Sequence, residues 1–215
     1  MQNYQLKPHV RACVDGANLV FLDLRRDRYR AVPVRGAPPI AGLTDGVAAN
    51  NAIEQGLVAL DLIETAAVQS GPGLQRSRAP ERKLVPGQDG APTLSDVASF
   101  TRSCVGASHA LRARRLDLTL ARLAKRKAKL RGGSPPAERV AAMFETLRPW
   151  YPRERVCLFD SLALMGFMLA RGLRPTLVLG VRTTPFAAHC WIEFDDMLVS
   201  DTSDHCASFT PIAWV

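Results

Sequence analysis

Short apolar runs separated by turn-forming residues dominate the first part of the chain. Residues 9–15, 19–23 and 29–33 are β-prone, and the residues between them are glycine or polar. This pattern predicts a small antiparallel sheet of three strands. Pro33 has no backbone N–H to donate to a ladder, so we expect the third strand to lie at a sheet edge or to end there.

A helical period follows the three strands. Asn51 is expected to cap a helix that runs to about Val68. The apolar residues of this helix lie on one stripe: Ile53, Leu57, Leu60 and Ile63. Three strands followed by a helix predict a compact winged-helix-like unit in the first seventy residues.

A segment rich in Gly, Pro, Ser and Arg, residues 70–93, interrupts both patterns. We interpret it as a partly flexible linker. The predicted organisation is therefore a first domain over residues 1–70, a linker over 71–93 and a second domain over 94–215.

The second domain is predicted to complete an α+β protein. Helical periodicity resumes at about residue 95 and continues with interruptions to Leu147. An apolar helix is expected from Cys157 to about Arg171, and Asp195-Asp196 is interpreted as a tight hairpin turn between two of the strands that come later. The predicted strands after this helix are residues 176–181, 188–194, 197–201 and 208–214.

The charge of the chain is concentrated in one segment. The net charge is +8, and residues 101–155 hold 14 Lys or Arg against 4 Asp or Glu. A basic segment is most often a solvated helix face, and an acidic peptide, a partner protein or nucleic acid are the alternatives.

The cysteines and the apolar runs indicate the compartment. Five cysteines occur without a C-x-x-C pair, and neither a metal cluster nor a phosphate-binding motif is visible. The first 24 residues lack the apolar core of a signal peptide, and the longest apolar run is too short to span a bilayer. We therefore expect a cytoplasmic protein with free thiols, no cofactor and no metal.

Three residues near the C-terminus carry the candidate chemistry. Cys157 opens an apolar helix, where the helix N-terminus stabilises a thiolate. His189 lies in a strand-like run, and Asp201 ends the next one. A nucleophile, a base and a carboxylate that orients the base, by accepting from Nδ1–H of the imidazole, are expected from these three residues.

Simpler interpretations of each residue remain open. Cys157 can be a buried structural cysteine, His189 a hydrogen-bonded core histidine, and Asp201 a residue of a strand end. Strand alternation places Cys190 on the face opposite His189, which makes it a poor second nucleophile. His205 lies in a predicted loop and is not favoured as the base.

Three ordered motifs carry a resemblance to a known family: Cys157-Leu-x-x-Ser161-Leu-Ala-Leu, Leu179-Gly-Val-Arg182 and Pro185-Phe-x-Ala-His189-x-Trp191-Ile-Glu193. Over residues 95–215 the chain resembles the transglutaminase-like leader peptidase of lasso-peptide biosynthesis. The resemblance implies a papain-like cysteine protease domain whose catalytic residues are Cys157, His189 and Asp201.

The first seventy residues fit the same resemblance. One branch of the family carries a PqqD-like leader-recognition domain, with three strands and then three helices, ahead of the peptidase; residues 37–46 are a candidate for a second helix here. The resemblance implies that the leader peptide adds as a strand to the edge of the third strand. The implied leader-binding residues are Tyr29, Arg30, Ala31, Val32, Val34, Ile53, Leu57 and Leu60.

The resemblance also implies the partners. They are a lasso-peptide precursor and an asparagine-synthetase-like lasso cyclase, which needs the core N-terminus that cleavage frees. The basic helix at residues 112–131 is a candidate to dock either one. Neither nucleic acid nor a membrane is expected as a partner.

Two other functions fit the residues. A transglutaminase or acyltransferase would use the same three side chains with an amine in place of water. A non-catalytic protein would bind peptide or nucleic acid through the winged-helix-like unit and the basic helix. A DNA reader should bind with a steep salt dependence and survive Cys157→Ala.

Overall fold

The computed structural model describes residues 4–38, 40, 50–65, 80–85, 87, 90–130 and 135–215. The chain divides into two compact units. The first comprises Met1–Arg78, Gly180–Ala188 and Phe209–Ala213, and the second comprises Ala79–Leu179, His189–Ser208 and Trp214–Val215.

The described elements of the first 78 residues are β1 (Tyr4–Leu6), β2 (Val10–Asp15), β3 (Asn18–Asp23), β4 (Arg28–Pro33), α1 (Asn51–Ala59) and β5 (Ile63–Thr65). The predicted three-stranded antiparallel sheet is confirmed, with the order β2-β3-β4. β1 pairs with β5 in a separate two-stranded sheet.

The central strand β3 is buried on both of its faces. Leu19 and Phe21 belong to a hydrophobic core that also contains Leu57 of α1. The alternate residues of β3, Val20 and Leu22, are fully buried as well. A sheet with two covered faces explains why β3 is a continuous apolar run rather than an alternating one.

The helix α1 is shorter than the sequence pattern predicts. Its N-cap is Asn50, whose side chain accepts from the N–H of Ala52, and it ends at Ala59 instead of Val68. Asp61 then takes a positive φ of 60° and turns the chain. Ile63, expected on the helix stripe, lies in β5 because pairing with β1 outweighs the helical period there.

The second part of the chain is mixed α and β. Its elements are α2 (Leu94–Ala113), α3 (Leu116–Ala128), α4 (Ala137–Leu147), a 3₁₀ turn (Arg148–Trp150), α5 (Cys157–Ala170), β6 (Thr176–Thr183), β7 (Phe186–Phe194), β8 (Met197–Leu198), α6 (Ser203–Ala207) and β9 (Thr210–Trp214). The strands form a sheet in the order β8-β7-β6-β9.

Helix α5 lies at the centre of the second unit. Nearly all of its residues after the first turn are buried, so it is apolar around its whole circumference. Phe100 of α2, Phe144 of α4 and Phe167 of α5 pack against one another with ring centroids 5.5 to 6.3 Å apart. Burial on every side gives α5 a fixed position from which its first residue can act.

The turn between β7 and β8 confirms the predicted hairpin. Asp195 and Asp196 both have positive φ, 47° and 57°, as a two-residue type I′ turn requires. β8 ends at Leu198, earlier than the predicted strand over 197–201. Beyond it, the N–H of Val199 still donates to the carbonyl of Ile192 over 2.8 Å, but the N–H of Ile192 donates to the hydroxyl of Ser200, so regular pairing ends there.

Part of the segment predicted as linker lies against the sheet. The N–H of Leu84 donates to the carbonyl of Leu198 over 2.7 Å, and the N–H of Leu198 donates to Arg82 over 2.8 Å. Leu84 is 1% exposed. The residues that precede this contact, 66–79, and most of the helix candidate over 37–46 lie outside the described residues. In the described ranges, no helix combines the length and the apolar character that a bilayer span demands.

Candidate active site

Cys157 is the first residue of α5, as predicted, and is half-buried. The unpaired N–H groups and the dipole of a helix N-terminus favour a negative charge at this position. The residue that caps the helix, Val156, makes no side-chain hydrogen bond, so no capping side chain competes for the N–H groups of the first turn.

Arg148 holds the loop that leads into α5. Its side chain is 2% exposed and donates to the carbonyls of Tyr151, Arg153 and Glu154 over 3.0 to 3.2 Å. It also forms an ion pair with Asp160, one turn after Cys157. Since one guanidinium binds both the loop and the helix, it fixes the position of the helix end that carries the thiol.

The second element of the site is β7, which carries His189. The strand alternation predicted for His189, Trp191 and Glu193 is confirmed: the rings of His189 and Trp191 are stacked with centroids 6.0 Å apart, and the Trp191 Nε1–H donates to Glu193 over 2.7 Å. Trp191 is fully buried. A fixed indole beside the imidazole restricts its orientation.

The carboxylate of Asp201 lies against the imidazole of His189. The distance from Nε2 of His189 to Oδ2 of Asp201 is 2.5 Å. The prediction that Nδ1 faces Asp201 is therefore wrong: the chain leaves the ladder after β8, and the carboxylate approaches the ring from its Nε2 side. This leaves Nδ1 as the nitrogen that can serve Cys157.

The surroundings of Cys157 favour its thiolate. Hydrogen bonds from the Cys190 thiol and from the His189 imidazole lower the pKa of Cys157 to about 4, although burial opposes this shift. The backbone N–H of Cys190 contributes a further hydrogen bond in the same direction. Cys157 is therefore ionised at neutral pH, in the form that is nucleophilic.

His189 complements this charge. Burial lowers the pKa of His189, but the hydrogen bonds to Cys157 and Asp201 outweigh burial, and the pKa is raised above its ordinary value. A thiolate beside a protonated imidazole is an ion pair that holds both the nucleophile and the proton for a leaving group.

Cys190 is closer to the chemistry than strand alternation suggests. Its thiol is 3% exposed, and its hydrogen bond to Cys157, together with burial, raises its pKa well above the ordinary value. The carbonyl of Cys190 accepts from the Ser161 hydroxyl over 3.2 Å, which fastens β7 to the second turn of α5. Cys190 is thus a donor to the nucleophile rather than a nucleophile itself.

The other three cysteines have raised thiol pKa values, unlike Cys157. None of the five cysteines forms a disulfide. Burial raises the pKa of Cys13 and Cys206 to about 12 and that of Cys104 to about 11. At neutral pH these three thiols stay protonated and unreactive.

His205 also reaches the site, which the sequence analysis did not predict. It lies on α6, in a segment expected to be a loop, and its exposed ring meets the ring of His189 edge-on with centroids 4.6 Å apart. The local signal was weak: Thr202 at the N-cap and Asp204 in the first turn are typical of a helix start.

The same residues offer donors of a kind that metals bind. His189, Asp201 and His205 place one ligand atom each within 4.8 Å of one another. Two imidazole nitrogens and a carboxylate oxygen suit zinc, but in this structure His189 and Asp201 are engaged with each other.

The predicted leader-binding residues are divided between the edge strand β4, with the residue that follows it, and the helix α1, with its C-cap. Val32, Val34 and Ile53 pack against the hydrophobic core that contains Leu57, whereas Leu60 is exposed. The remaining members, Tyr29, Arg30 and Ala31, lie on β4, and the ring of Tyr29 meets Phe186 edge-on at 5.6 Å.

The second unit thus carries a thiol at the start of a buried helix, an imidazole on a strand and a carboxylate just beyond the next strand. This setting is found in the cysteine hydrolases and acyltransferases as a class.

Comparison with known protein families narrows this class. Residues 103–214, just over half of the chain, match the model of the transglutaminase-like superfamily. The chain therefore belongs to the transglutaminase-like superfamily, which includes cysteine proteases and transglutaminases. Neither the curated proteins nor the solved structures contain a significant match to it.

Proposed function

We propose that this protein is a cysteine endopeptidase that binds the leader of a lasso-peptide precursor and cleaves it at the junction of leader and core. The observation that carries the proposal is the Cys157 thiol at the start of α5, with its lowered pKa and its contact with a His189 that Asp201 holds. The three sequence motifs around these residues support the choice of substrate.

The reaction follows from the geometry. The Cys157 thiolate attacks the scissile carbonyl carbon, and protonated His189 gives its proton to the leaving amine of the core. The leader remains as a thioester on Cys157. Water then attacks the thioester while His189 takes its proton, which releases the leader acid and restores the thiolate. Asp201 keeps the imidazole oriented through both steps.

The edge of β4 supports leader binding by strand addition. In the described part of the chain β4 pairs with β3 alone, and its other edge has no partner strand. The N–H of Val34 donates to the carbonyl of Ala17 over 2.9 Å, and this pair continues the β3–β4 register. Because hydrogen-bonded and non-bonded pairs alternate, the N–H group of Ala31 points to the open edge.

This alternation provides a matched pair of variants. Ala31→Pro removes an outward N–H and leaves the ladder to β3 intact, so it should weaken binding of a leader peptide at least tenfold while the domain stays folded. Arg30→Pro removes a donor to β3 and should destabilise the sheet itself. Equal leader affinity in wild type and Ala31→Pro would rule out strand addition at this edge.

The proposed organisation couples leader binding and cleavage in one chain. A leader-recognition domain over residues 1–70, joined by residues 71–93 to the peptidase domain over 94–215, would raise the effective concentration of the scissile bond at Cys157. Free thiols at all five cysteines support action in a reducing compartment such as the cytoplasm.

An asparagine-synthetase-like cyclase is the proposed partner that takes the freed core. The basic segment over residues 112–131 is the proposed surface for the precursor or the cyclase. It is not the single helix that the sequence predicted: α2 ends at Ala113, Arg114 turns the chain with a φ of 48°, and α3 begins at Leu116. Replacing Lys125, Arg126 and Lys129 by glutamate should weaken one of these associations. If both associations keep their wild-type affinity, the segment is not the docking surface.

Acyl transfer is the second candidate, and membership in a superfamily that includes transglutaminases favours it. Chemistry up to the thioester is the same, and an amine replaces water in the second step. Loss of ammonia from a glutamine-containing peptide, with a new cross-link, would support this function instead.

The direct experiment incubates the full-length protein with lasso precursor peptides and reads the products by mass spectrometry. We expect a leader fragment and a free core from wild type and from Cys104→Ala, which lacks only a buried, protonated thiol. Neither fragment should form with Cys157→Ala. Cleavage that persists in Cys157→Ala would contradict the proposal.

A further inference from the structure

A groove of about 590 Å³ lies between α2 and α3, with α5 as its floor. Cys157, His189 and Asp201 do not line it. The volume falls within the range of about 300 to 1,000 Å³ that is typical of small-molecule sites. Along α2 the groove runs from Ser99 to Ala113, about 20 Å at the rise of a helix.

The wall of the groove is apolar and made of small residues. Gly106 and Ala110 of α2 and Ala170 of α5 have little or no side chain, and a Cβ built on Gly106 would meet nothing within 4 Å. Gly166 of α5 lets Ser103 of α2 pack closely, since a Cβ on Gly166 would lie 3.4 Å from that side chain. Leu162 lies on the floor. Such a wall can bury an alkyl chain.

The hydroxyl groups of the wall already have partners. The Ser103 hydroxyl donates to the Ser99 carbonyl over 2.9 Å, and the Ser99 hydroxyl accepts from Arg171 over 3.2 Å. The Thr119 hydroxyl donates to the carbonyl of Arg115 over 3.1 Å. An extended peptide needs a hydrogen-bonding partner for every backbone group that it buries, and three hydroxyls that are each partly engaged are too few to supply them.

The rim of the groove is basic. Arg102, Arg122 and Arg126 are exposed and form no ion pair with a described residue, whereas Arg115 is paired with Asp117 over 2.9 Å. No Asp or Glu is among the described residues that line the groove. Arg122 and Arg126 are four residues apart on α3, so both guanidinium groups can reach one anion.

We propose that this groove binds a long-chain carboxylate, with the alkyl chain against α2 and α5 and the carboxylate at Arg122 and Arg126. The chain's own residues 66–79, which lie outside the described part, are an alternative occupant of the groove, and their charge argues against them. That segment carries two arginines and no acidic residue, so it does not complement a basic rim.

Binding of a fluorescent carboxylate, 11-(dansylamino)undecanoic acid, to the full-length protein tests the proposal without any cleavage assay. Displacement by decanoate, undecanoate and dodecanoate, each kept below its micelle concentration, should strengthen about fourfold with every added methylene. Dodecanol, which has the chain without the charge, should displace the probe at least tenfold more weakly than dodecanoate.

Variants locate the site. Gly106→Leu fills the groove and should lower probe affinity at least tenfold, with the fold checked by circular dichroism. In the double variant Arg122→Gln, Arg126→Gln, dodecanoate should displace the probe no better than dodecanol does. Arg112 lies on α2 but does not line the groove, so Arg112→Gln should leave the affinities for the probe and for dodecanoate unchanged.

Three results would overturn the proposal. They are wild-type affinity in Gly106→Leu, equal displacement by dodecanol and dodecanoate, and absence of probe binding. If an acidic amphipathic helical peptide binds while the probe does not, the groove is a docking site for a protein partner instead.

Discussion

The Nε2 atom of His189 lies 2.5 Å from Oδ2 of Asp201, so the carboxylate holds one ring nitrogen and leaves Nδ1 for the Cys157 thiol. Asp201→Asn keeps the shape of this side chain and removes its charge. We expect a loss of precursor cleavage of about 10²-fold or more, because the imidazole loses its oriented, protonated state. Single-turnover cleavage assays measure this loss.

His205→Ala is the matched control for Asp201→Asn. It removes a neighbour of the same imidazole, whose ring meets that of His189 edge-on. We expect a change in rate of less than tenfold. If the two variants had similar effects, or if His205→Ala were the more damaging, the assignment of Asp201 as the orienting group would be wrong.

The pKa of Cys157, about 4, predicts how the protein reacts with iodoacetamide. A thiol with a lowered pKa is ionised above that value, so the rate of alkylation should be constant from about pH 5 to 8 and fall only below that range. Peptide mapping should find the label on Cys157, because the pKa values of Cys13, Cys104 and Cys206 are about 11 or 12. A rate that rises between pH 8 and 9 would instead indicate an ordinary thiol.

Cys190 is expected to stabilise the thiolate through its S–H donor. Cys190→Ala should shift the midpoint of the alkylation profile upward by about one to two pH units, since a hydrogen bond to a charged group contributes about 1.5 to 3 kcal/mol. Cys190→Ser keeps a donor and should restore much of this shift. An unchanged midpoint in Cys190→Ala would show that the contact has no effect on the thiol.

Arg148 is expected to stabilise the protein as well as to fix the position of the start of α5. Arg148→Met leaves Asp160 and three loop carbonyls without their donor, so the free energy of unfolding in urea should fall by about 3 to 5 kcal/mol. Arg155→Gln, which breaks an exposed ion pair with Glu145, should cost about 0 to 1 kcal/mol. Equal effects of the two variants would contradict the role given to the buried guanidinium.

Elements with a strong local signal were predicted correctly from the sequence. The strand β3 and the helix α5 each follow from a continuous apolar run, and the Asp195-Asp196 turn follows from residues that tolerate positive φ. The predicted place of Cys157 at a helix start is also confirmed. These features depend on residues close together in the chain.

Features that depend on distant residues were missed. The end of α1 at Ala59 is set by pairing of β5 with β1, more than fifty residues away in the chain. The contact of Cys190 with Cys157 depends on how β7 crosses the start of α5, which strand alternation cannot give. The Arg148–Asp160 pair had one visible signal: a carboxylate inside an apolar helix requires a cation nearby.

Cleavage of a lasso precursor in water enriched in ¹⁸O is the most direct test of the central claim, that Cys157 forms an acyl-enzyme that water resolves. The account predicts a leader fragment whose new carboxylate carries one ¹⁸O, a core with an unmodified N-terminus, and no products with Cys157→Ala. A cross-linked or deamidated product without a free core, or cleavage that does not need Cys157, would contradict it.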